Sequence, residues 1–101
     1  MTKQSIRHMV IFNLQYPVGS AEAEKFLEDG RSLLTTIPGV NQFSVFRQVS
    51  VKNDYDYGFS MDFNSQADYD AYNAHPIHEQ FVENRWKKEV TRFLEIDFTE
   101  K

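Results

Sequence analysis

The sequence predicts an α+β fold in which four strands and two helical regions follow one another in the order β-α-β-β-α-β. Two observations carry this prediction. Four segments alternate apolar and polar residues or are rich in Val and Phe, and two regions repeat apolar residues at helical spacing. Of the 101 residues, 41% are apolar and 15% aromatic, so we expect one folded domain that spans residues 1–101.

The first strand is predicted at residues 6–14, IRHMVIFNL, because apolar residues alternate there. Successive side chains of a strand point to opposite sides of the sheet. One face of this strand therefore consists of Ile6, His8, Val10, Phe12 and Leu14. Met9 and Ile11 lie on the other face, which indicates that both sides of the strand are covered.

The first helix is predicted to begin after Ser20, whose side chain suits an N-cap, and to end at Pro38-Gly39. Between these signals the following residues recur at helical spacing: Phe26, Leu27, Gly30, Leu33, Leu34 and Ile37. A long strand rich in Val and Phe is predicted next, at residues 40–51. The turn KNDYD separates it from an alternating strand at residues 57–63.

The second helical region is predicted in two parts. Ser65 suits the cap of a short helix that carries Tyr69 and Tyr72. Pro76 suits the first position of a new helix, which is expected to run to about residue 90. The inner residues of that helix are expected to be Ile77, Phe81, Val82, Trp86 and Val90.

The last strand is predicted at residues 92–98, with Leu94, Ile96 and Phe98 on one face. The complete order is that of a ferredoxin-like fold, with one antiparallel sheet and the helices on one of its faces. The other face of the first strand is also apolar. A second sheet from a second copy of the chain would cover it, so the sequence predicts a homodimer.

Composition excludes several classes of partner. The net charge is −4 and no basic stripe is present, so nucleic acid is not an expected partner. No apolar run approaches the roughly 20 residues of a membrane span. The start of the chain does not resemble a signal peptide, and there is no cysteine. We therefore expect a cytoplasmic protein without a membrane partner.

Two of the three histidines lie in the stretch YNAHPIHEQF, residues 72–81. His75 precedes Pro76 and is expected to form the start of the helix. Together with His8, His75 and His78 also invite the hypothesis of a zinc or iron site. Such a site needs three or four converging ligands, and Pro76 makes the side chains of His75 and His78 diverge. We therefore expect neither a metal nor a cofactor. The aspartates, Asp97 among them, are expected to be solvated.

Several motifs occur in an order that resembles one family. They are RHMVIFNL, IPGV, YDYGFSMDFNS, YNAHPIHEQF and the closing IDF, and together they cover essentially the whole chain. The sequence is similar to the stress-responsive A/B barrel (Dabb) family. The resemblance implies a dimeric α+β barrel in which two sheets face each other. One plant branch of the family, of the olivetolic acid cyclase type, closes a linear polyketide by an intramolecular aldol reaction, whereas most members have no established chemistry.

The resemblance also implies site residues. The base of the cyclase falls on His78, the tyrosine that assists it falls on Tyr72, and a histidine of the first strand falls on His8. Gly30 stands where the cyclase has a tyrosine, and Trp86 lies about one turn before the cyclase's tryptophan. The apolar pocket walls fall on Val10, Phe12, Phe26, Phe59 and Val90.

Two functions follow as hypotheses. In the first, a pocket binds a small carbonyl-bearing or aromatic molecule. If the protein is an enzyme, we expect a cofactor-free lyase that resembles a polyketide cyclase. His78 then removes a proton next to the carbonyl group, Tyr72 polarises that carbonyl, and His8 positions the far end of the bound molecule. In the second, the protein is a non-enzymatic, stress-related structural or interaction protein whose pocket is packed core. Open space beside Gly30 would favour the hypothesis of a binding pocket. If the side chains of Phe26, Phe59 and Trp86 fill that space, the hypothesis of a structural protein is favoured.

Overall fold

The computed structural model describes residues 4–101 and confirms the element order. The four strands are Ile6–Leu14 (β1), Asn41–Arg47 (β2), Tyr57–Phe63 (β3) and Val90–Phe98 (β4). The helices are Ala21–Leu34 (α1), Gln66–Ala74 (α2), Pro76–Phe81 (α3) and Lys87–Glu89 (α4). A π-helical turn, Val82–Trp86, joins α3 to α4. Helix α4 has three residues and leads directly into β4. The helix that was predicted from Pro76 to about residue 90 therefore ends just before Val90.

The strands form one antiparallel sheet in the order β2-β3-β1-β4, as a ferredoxin-like fold requires. β1 is central, and Val10 pairs with Phe59 on one side and with Glu95 on the other. The predicted inner face of β1 is buried along its whole length. The largest fully buried side chains are Phe12, Phe26, Phe59, Phe63 and Met61. The core therefore lies between one face of the sheet and the helices.

Each predicted helix start is formed by a side chain that accepts a backbone hydrogen bond. Ser20 accepts from the Ala23 amide and Ser65 from the Asp68 amide, both at 3.2 Å. These bonds satisfy amides that have no partner within the first turn of a helix. His75 caps α3 in the same way, since its Nδ1 accepts from the Ile77 amide at 3.1 Å.

The second strand is shorter than predicted. β2 ends at Arg47 because the side chain of Gln48 donates to the Tyr55 carbonyl at 2.7 Å and accepts from the Ser50 amide. These local bonds replace the ladder bonds that a longer strand would need.

The remaining corrections to the predicted elements are smaller. α1 ends at Leu34 with Leu33 exposed, Ile37 is buried beyond the helix end, and β4 begins two residues earlier than predicted.

The face of the sheet opposite the helices carries an apolar patch that is open to solvent in the described chain, beside the Arg7–Asp62 ion pair. Met9 of β1 pairs with Ile96 of β4, and Ile11 pairs with Leu94, so all four share this face. Phe46 of β2 adds to the surface and is half exposed. Within residues 4–101, no helix combines the length and the apolar character needed to cross a bilayer.

Candidate functional site

A cavity of about 230 Å³ lies between the sheet and the helices that follow β3. Most of its wall is apolar, and the apolar residues are Val10, Leu34, Phe59, Met61, Phe81, Val82, Trp86 and Phe93. Its polar residues are His8, Tyr72, Asn73, His78 and Glu95. An apolar enclosure with a few convergent polar groups is the usual form of a small-molecule site.

His78 is half buried and presents one ring nitrogen as a hydrogen-bond acceptor. Its Nδ1 lies 3.2 Å from the backbone carbonyl of Asn73. A carbonyl only accepts, so the proton of the neutral ring is on Nδ1 and Nε2 carries the lone pair. Burial lowers the pKa of His78, and the nearby His8 adds to this effect. The Asn73 carbonyl, Glu95 and Glu79 raise the pKa, but they do not reverse the shift. The neutral, basic form is therefore favoured in the fold.

Tyr72 offers the complementary donor. Its side chain is almost fully buried at the wall of the cavity, and its ring centroid lies 4.5 Å from that of His78. Within residues 4–101 the hydroxyl has no hydrogen-bond partner, although it is not sealed from solvent. Burial, with a smaller contribution from Tyr69 and Glu95, raises the pKa of Tyr72. The hydroxyl is therefore a protonated donor available to a bound molecule.

His8 is held from behind by a carboxylate and a second tyrosine. Its Nδ1 lies 2.6 Å from Oδ1 of Asp97 and 2.9 Å from the hydroxyl of Tyr69. The Tyr69 hydroxyl also lies 3.0 and 3.1 Å from the two carboxylate oxygens of Asp97. The expectation that Asp97 is merely solvated was therefore wrong, although its side chain remains 42% exposed.

The implied pocket walls divide into two groups. Val10, Phe59 and Trp86 line the cavity together with the three polar residues that the resemblance implies. Phe12 and Phe26 are fully buried behind it, where their rings pack on each other with centroids 5.9 Å apart. Val90 is the first residue of β4 and packs against the core outside the cavity.

Gly30 provides close packing rather than open space. A Cβ atom placed on Gly30 would lie 2.8 Å from Cζ of Phe59 and 3.4 Å from Cζ of Phe81. Phe59 and Phe81 therefore fill the space into which a side chain at position 30 would extend. At Gly30 itself this filling agrees with the hypothesis of a packed core. A cavity nevertheless remains beyond these two rings, next to Tyr72 and His78, and it supports the hypothesis of a binding pocket.

Gly30→Ala is expected to destabilise the protein by roughly 1–3 kcal/mol, since the added methyl group overpacks a filled core. Chemical denaturation monitored by tryptophan fluorescence measures the change. Ser32→Ala, an exposed position on the same helix, is the matched control and should change the stability by less than about 0.5 kcal/mol. An unchanged midpoint in Gly30→Ala would show that moving the Phe59 ring costs no more than the roughly 1 kcal/mol that alanine gains over glycine inside a helix.

Comparison with models of known families identifies the family of the chain. Residues 6–100 match the family model of the stress responsive A/B barrel domain. The chain belongs to the Dabb family. Comparison with curated proteins gave no significant match.

Solved structures agree with this assignment to the Dabb family. A Dabb family protein from Mesorhizobium loti with a ferredoxin-like fold is 47% identical, with a TM-score of 0.94, over 96% of this chain and 97% of that one. A dimeric ferredoxin-like protein of unknown function from Thermobifida fusca is 18% identical, with a TM-score of 0.78, over 95% and 91%. Hydroxynitrile lyase from Passiflora edulis is 12% identical, with a TM-score of 0.84, over 98% and 95%. The last two show likeness of fold alone.

Sequence reasoning missed Glu95, which lines this Dabb cavity, and also Asp97 and Tyr69, which bind His8 from behind. A signal for the first two was present. Leu94, Ile96 and Phe98 define one face of β4, so alternation places Glu95 and Asp97 on the opposite, helix-covered face. Within the described part of the chain, no cluster of three or more His, Cys, Asp or Glu side chains is arranged to hold a metal ion.

Proposed function

We propose that this Dabb protein binds a small carbonyl-bearing molecule in the cavity and converts it by acid-base chemistry that needs no cofactor. One observation carries the proposal. The unpartnered hydroxyl of Tyr72 and the free Nε2 of His78 lie at the wall of the same cavity, on rings whose centroids are 4.5 Å apart. A donor and a base side by side in an apolar enclosure suit proton removal next to a carbonyl group.

The size of the cavity supports a ligand with a single ring. An apolar cavity of about 150 Å³ is sufficient for benzene, whereas drug-sized ligands need roughly 300–1,000 Å³. The volume of about 230 Å³ lies between these values. The aromatic wall, which includes Phe59, Trp86 and Phe93, favours an aromatic or flat ligand.

The proposed chemistry divides between two side chains. Tyr72 donates a hydrogen bond to the carbonyl oxygen, and His78 accepts the proton of the adjacent carbon at Nε2. The electron pair of the broken C–H bond moves into the enolate, whose negative charge grows on the oxygen that faces Tyr72. A donor placed where charge develops stabilises the transition state more than the ground state.

We also propose that two copies of the chain associate through the apolar sheet face. Leu94, Phe46 and Phe98 each expose about half of their surface in the single chain. A contiguous apolar patch of this kind marks an interaction site, and a second identical sheet offers a surface of the same character. The protein of similar fold from Thermobifida fusca is dimeric, which supports the association of two copies.

Tyr72→Phe is expected to weaken the binding of acetophenone, which presents one ring and one carbonyl, by several-fold to about tenfold. The reason is the loss of one hydrogen bond, about 0.5–1.5 kcal/mol. Titration calorimetry measures the affinity directly, and thermal shift provides the preceding screen because a bound ligand stabilises the folded state. Tyr55→Phe, in the loop before β3 and outside the cavity, is the matched control.

Two results would contradict the proposal. Equal affinity in Tyr72→Phe and the unmodified protein would show that the hydroxyl does not meet the carbonyl group. Failure of acetophenone and of related single-ring ketones to shift the melting temperature would favour the second hypothesis, a structural protein without a ligand.

A further inference from the structure

The hydrogen bonds around His8 fix the position of a proton. Tyr69 is buried, and burial together with the neighbouring Asp97 raises its pKa, so the hydroxyl keeps its hydrogen. That hydrogen is donated to the Asp97 carboxylate, which only accepts. Nδ1 of His8 lies 2.6 Å from a carboxylate oxygen of Asp97 and 2.9 Å from the hydroxyl oxygen of Tyr69. Both oxygens act as acceptors here, so Nδ1 must carry the hydrogen.

The opposite ring nitrogen is consequently an acceptor in the neutral ring. Nε2 of His8 has no hydrogen-bond partner within residues 4–101. No fully buried side-chain nitrogen or oxygen in that range lacks a partner, so Nε2 reaches open space. His8 itself is only 6% exposed and lines the cavity, where its ring centroid lies 6.4 Å from that of Tyr72.

We propose that Asp97 and Tyr69 are positioning residues that hold His8 with its hydrogen on Nδ1, so that Nε2 forms an accepting subsite for a hydroxyl group of the bound molecule. This inference rests on the proposed function. It narrows the ligand class to small hydroxylated carbonyl compounds, with the carbonyl at Tyr72 and the hydroxyl at His8. A phenol is a good donor and keeps the ring within the apolar wall.

The position of the proton is tested by long-range ¹H–¹⁵N correlation spectra of the histidine rings in the intact protein. The unmodified protein is expected to show His8 protonated at Nδ1 and bare at Nε2. Asp97→Asn offers an amide donor to Nδ1 and is expected to shift the ring toward the opposite tautomer. Tyr69→Phe leaves the carboxylate in place and should retain the Nδ1 hydrogen. A hydrogen on Nε2 in the unmodified protein would overturn the inference.

The subsite is tested with three probes, acetophenone and its 3′- and 4′-hydroxy derivatives. At least one hydroxylated probe is expected to bind several-fold to about tenfold more tightly than acetophenone, as one additional hydrogen bond allows. The gain should shrink in Asp97→Asn, because Nε2 then carries the hydrogen and the phenol can only accept. It should persist in full in Asp54→Asn, a matched change at an exposed aspartate that pairs with Arg92.

The outcomes separate this inference from the function on which it rests. If acetophenone binds and the hydroxyl group adds nothing, or if the gain is undiminished in Asp97→Asn, the subsite is wrong while the proposed function stands. If no probe binds, the proposed function and the ligand class both fail. The ring-nitrogen spectra then still decide whether Asp97 and Tyr69 position His8.

Discussion

Replacing His78 with glutamine is expected to slow deuterium exchange at the methyl group of acetophenone by about 10²–10⁴-fold, the usual contribution of a general base. Glutamine has no group that accepts a proton near neutral pH, and its amide can still donate to the Asn73 carbonyl, so the fold should be retained. Proton NMR in D₂O follows the exchange, and circular dichroism confirms the fold.

The other histidine of the same stretch provides the control for this variant. His75→Asn keeps a side chain that suits an N-cap, so α3 should form normally and the exchange rate should not change. Exchange that survives in His78→Gln would show that the proposed base is wrong. Exchange lost equally in His75→Asn would point to a general effect on the helix start.

The pH dependence follows from the direction in which the His78 pKa is displaced. Burial lowers this pKa, so the neutral base persists below the pH of about 6.5 at which a free histidine is half protonated. The exchange rate should therefore rise with pH to a plateau, with its midpoint below 6.5. The same displacement contributes stability that is present above pH 6.5 and lost as the pH falls through the lowered pKa. A midpoint above 6.5 would contradict the assignment of His78 as the base.

Ile96→Lys is expected to convert a dimer into monomers. Ile96 lies next to Met9 on the apolar sheet face, and in a two-fold interface the substitution appears twice. A buried charge without a partner costs on the order of 3 kcal/mol or more, which raises the dissociation constant by at least about 100-fold. Analytical ultracentrifugation over a concentration series measures the change.

The control for Ile96→Lys introduces the same charge on the opposite side of the molecule. Leu33 is exposed on α1, in the helical layer, so Leu33→Lys should leave the assembly state unchanged. A dimer that withstands Ile96→Lys would place the interface elsewhere. An unmodified protein that sediments as a monomer would remove the proposed interface altogether.

Local sequence patterns predicted the fold well because they reflect local physics. Alternation along β1 follows from the geometry of a strand, and Ser20 and Ser65 form helix starts because their side chains reach backbone amides three residues away. The errors also have local causes. β2 ends early because Gln48 bonds to a nearby carbonyl, and apolar composition alone does not reveal such a bond.

The candidate site was predictable only in part. His8, Tyr72 and His78 came from the resemblance, and the structure brings all three to one cavity. The sequence left open whether the space beside Gly30 is empty or filled, and the rings of Phe59 and Phe81 fill it. The cavity therefore depends on how rings from separate elements pack, and their packing cannot be inferred from spacing along the chain.

The sequence by itself determined the order of elements, the buried face of β1, the apolar character of the opposite sheet face and the role of His75 as a helix cap. These features depend on neighbours within a few residues. Only the tertiary structure decided that the His8 ring meets Asp97 and Tyr69, residues 89 and 61 positions away. The physical reason is that this contact forms only when β4 pairs with β1 and α2 packs over the sheet, and this pairing also fixes the proton on one nitrogen of the ring.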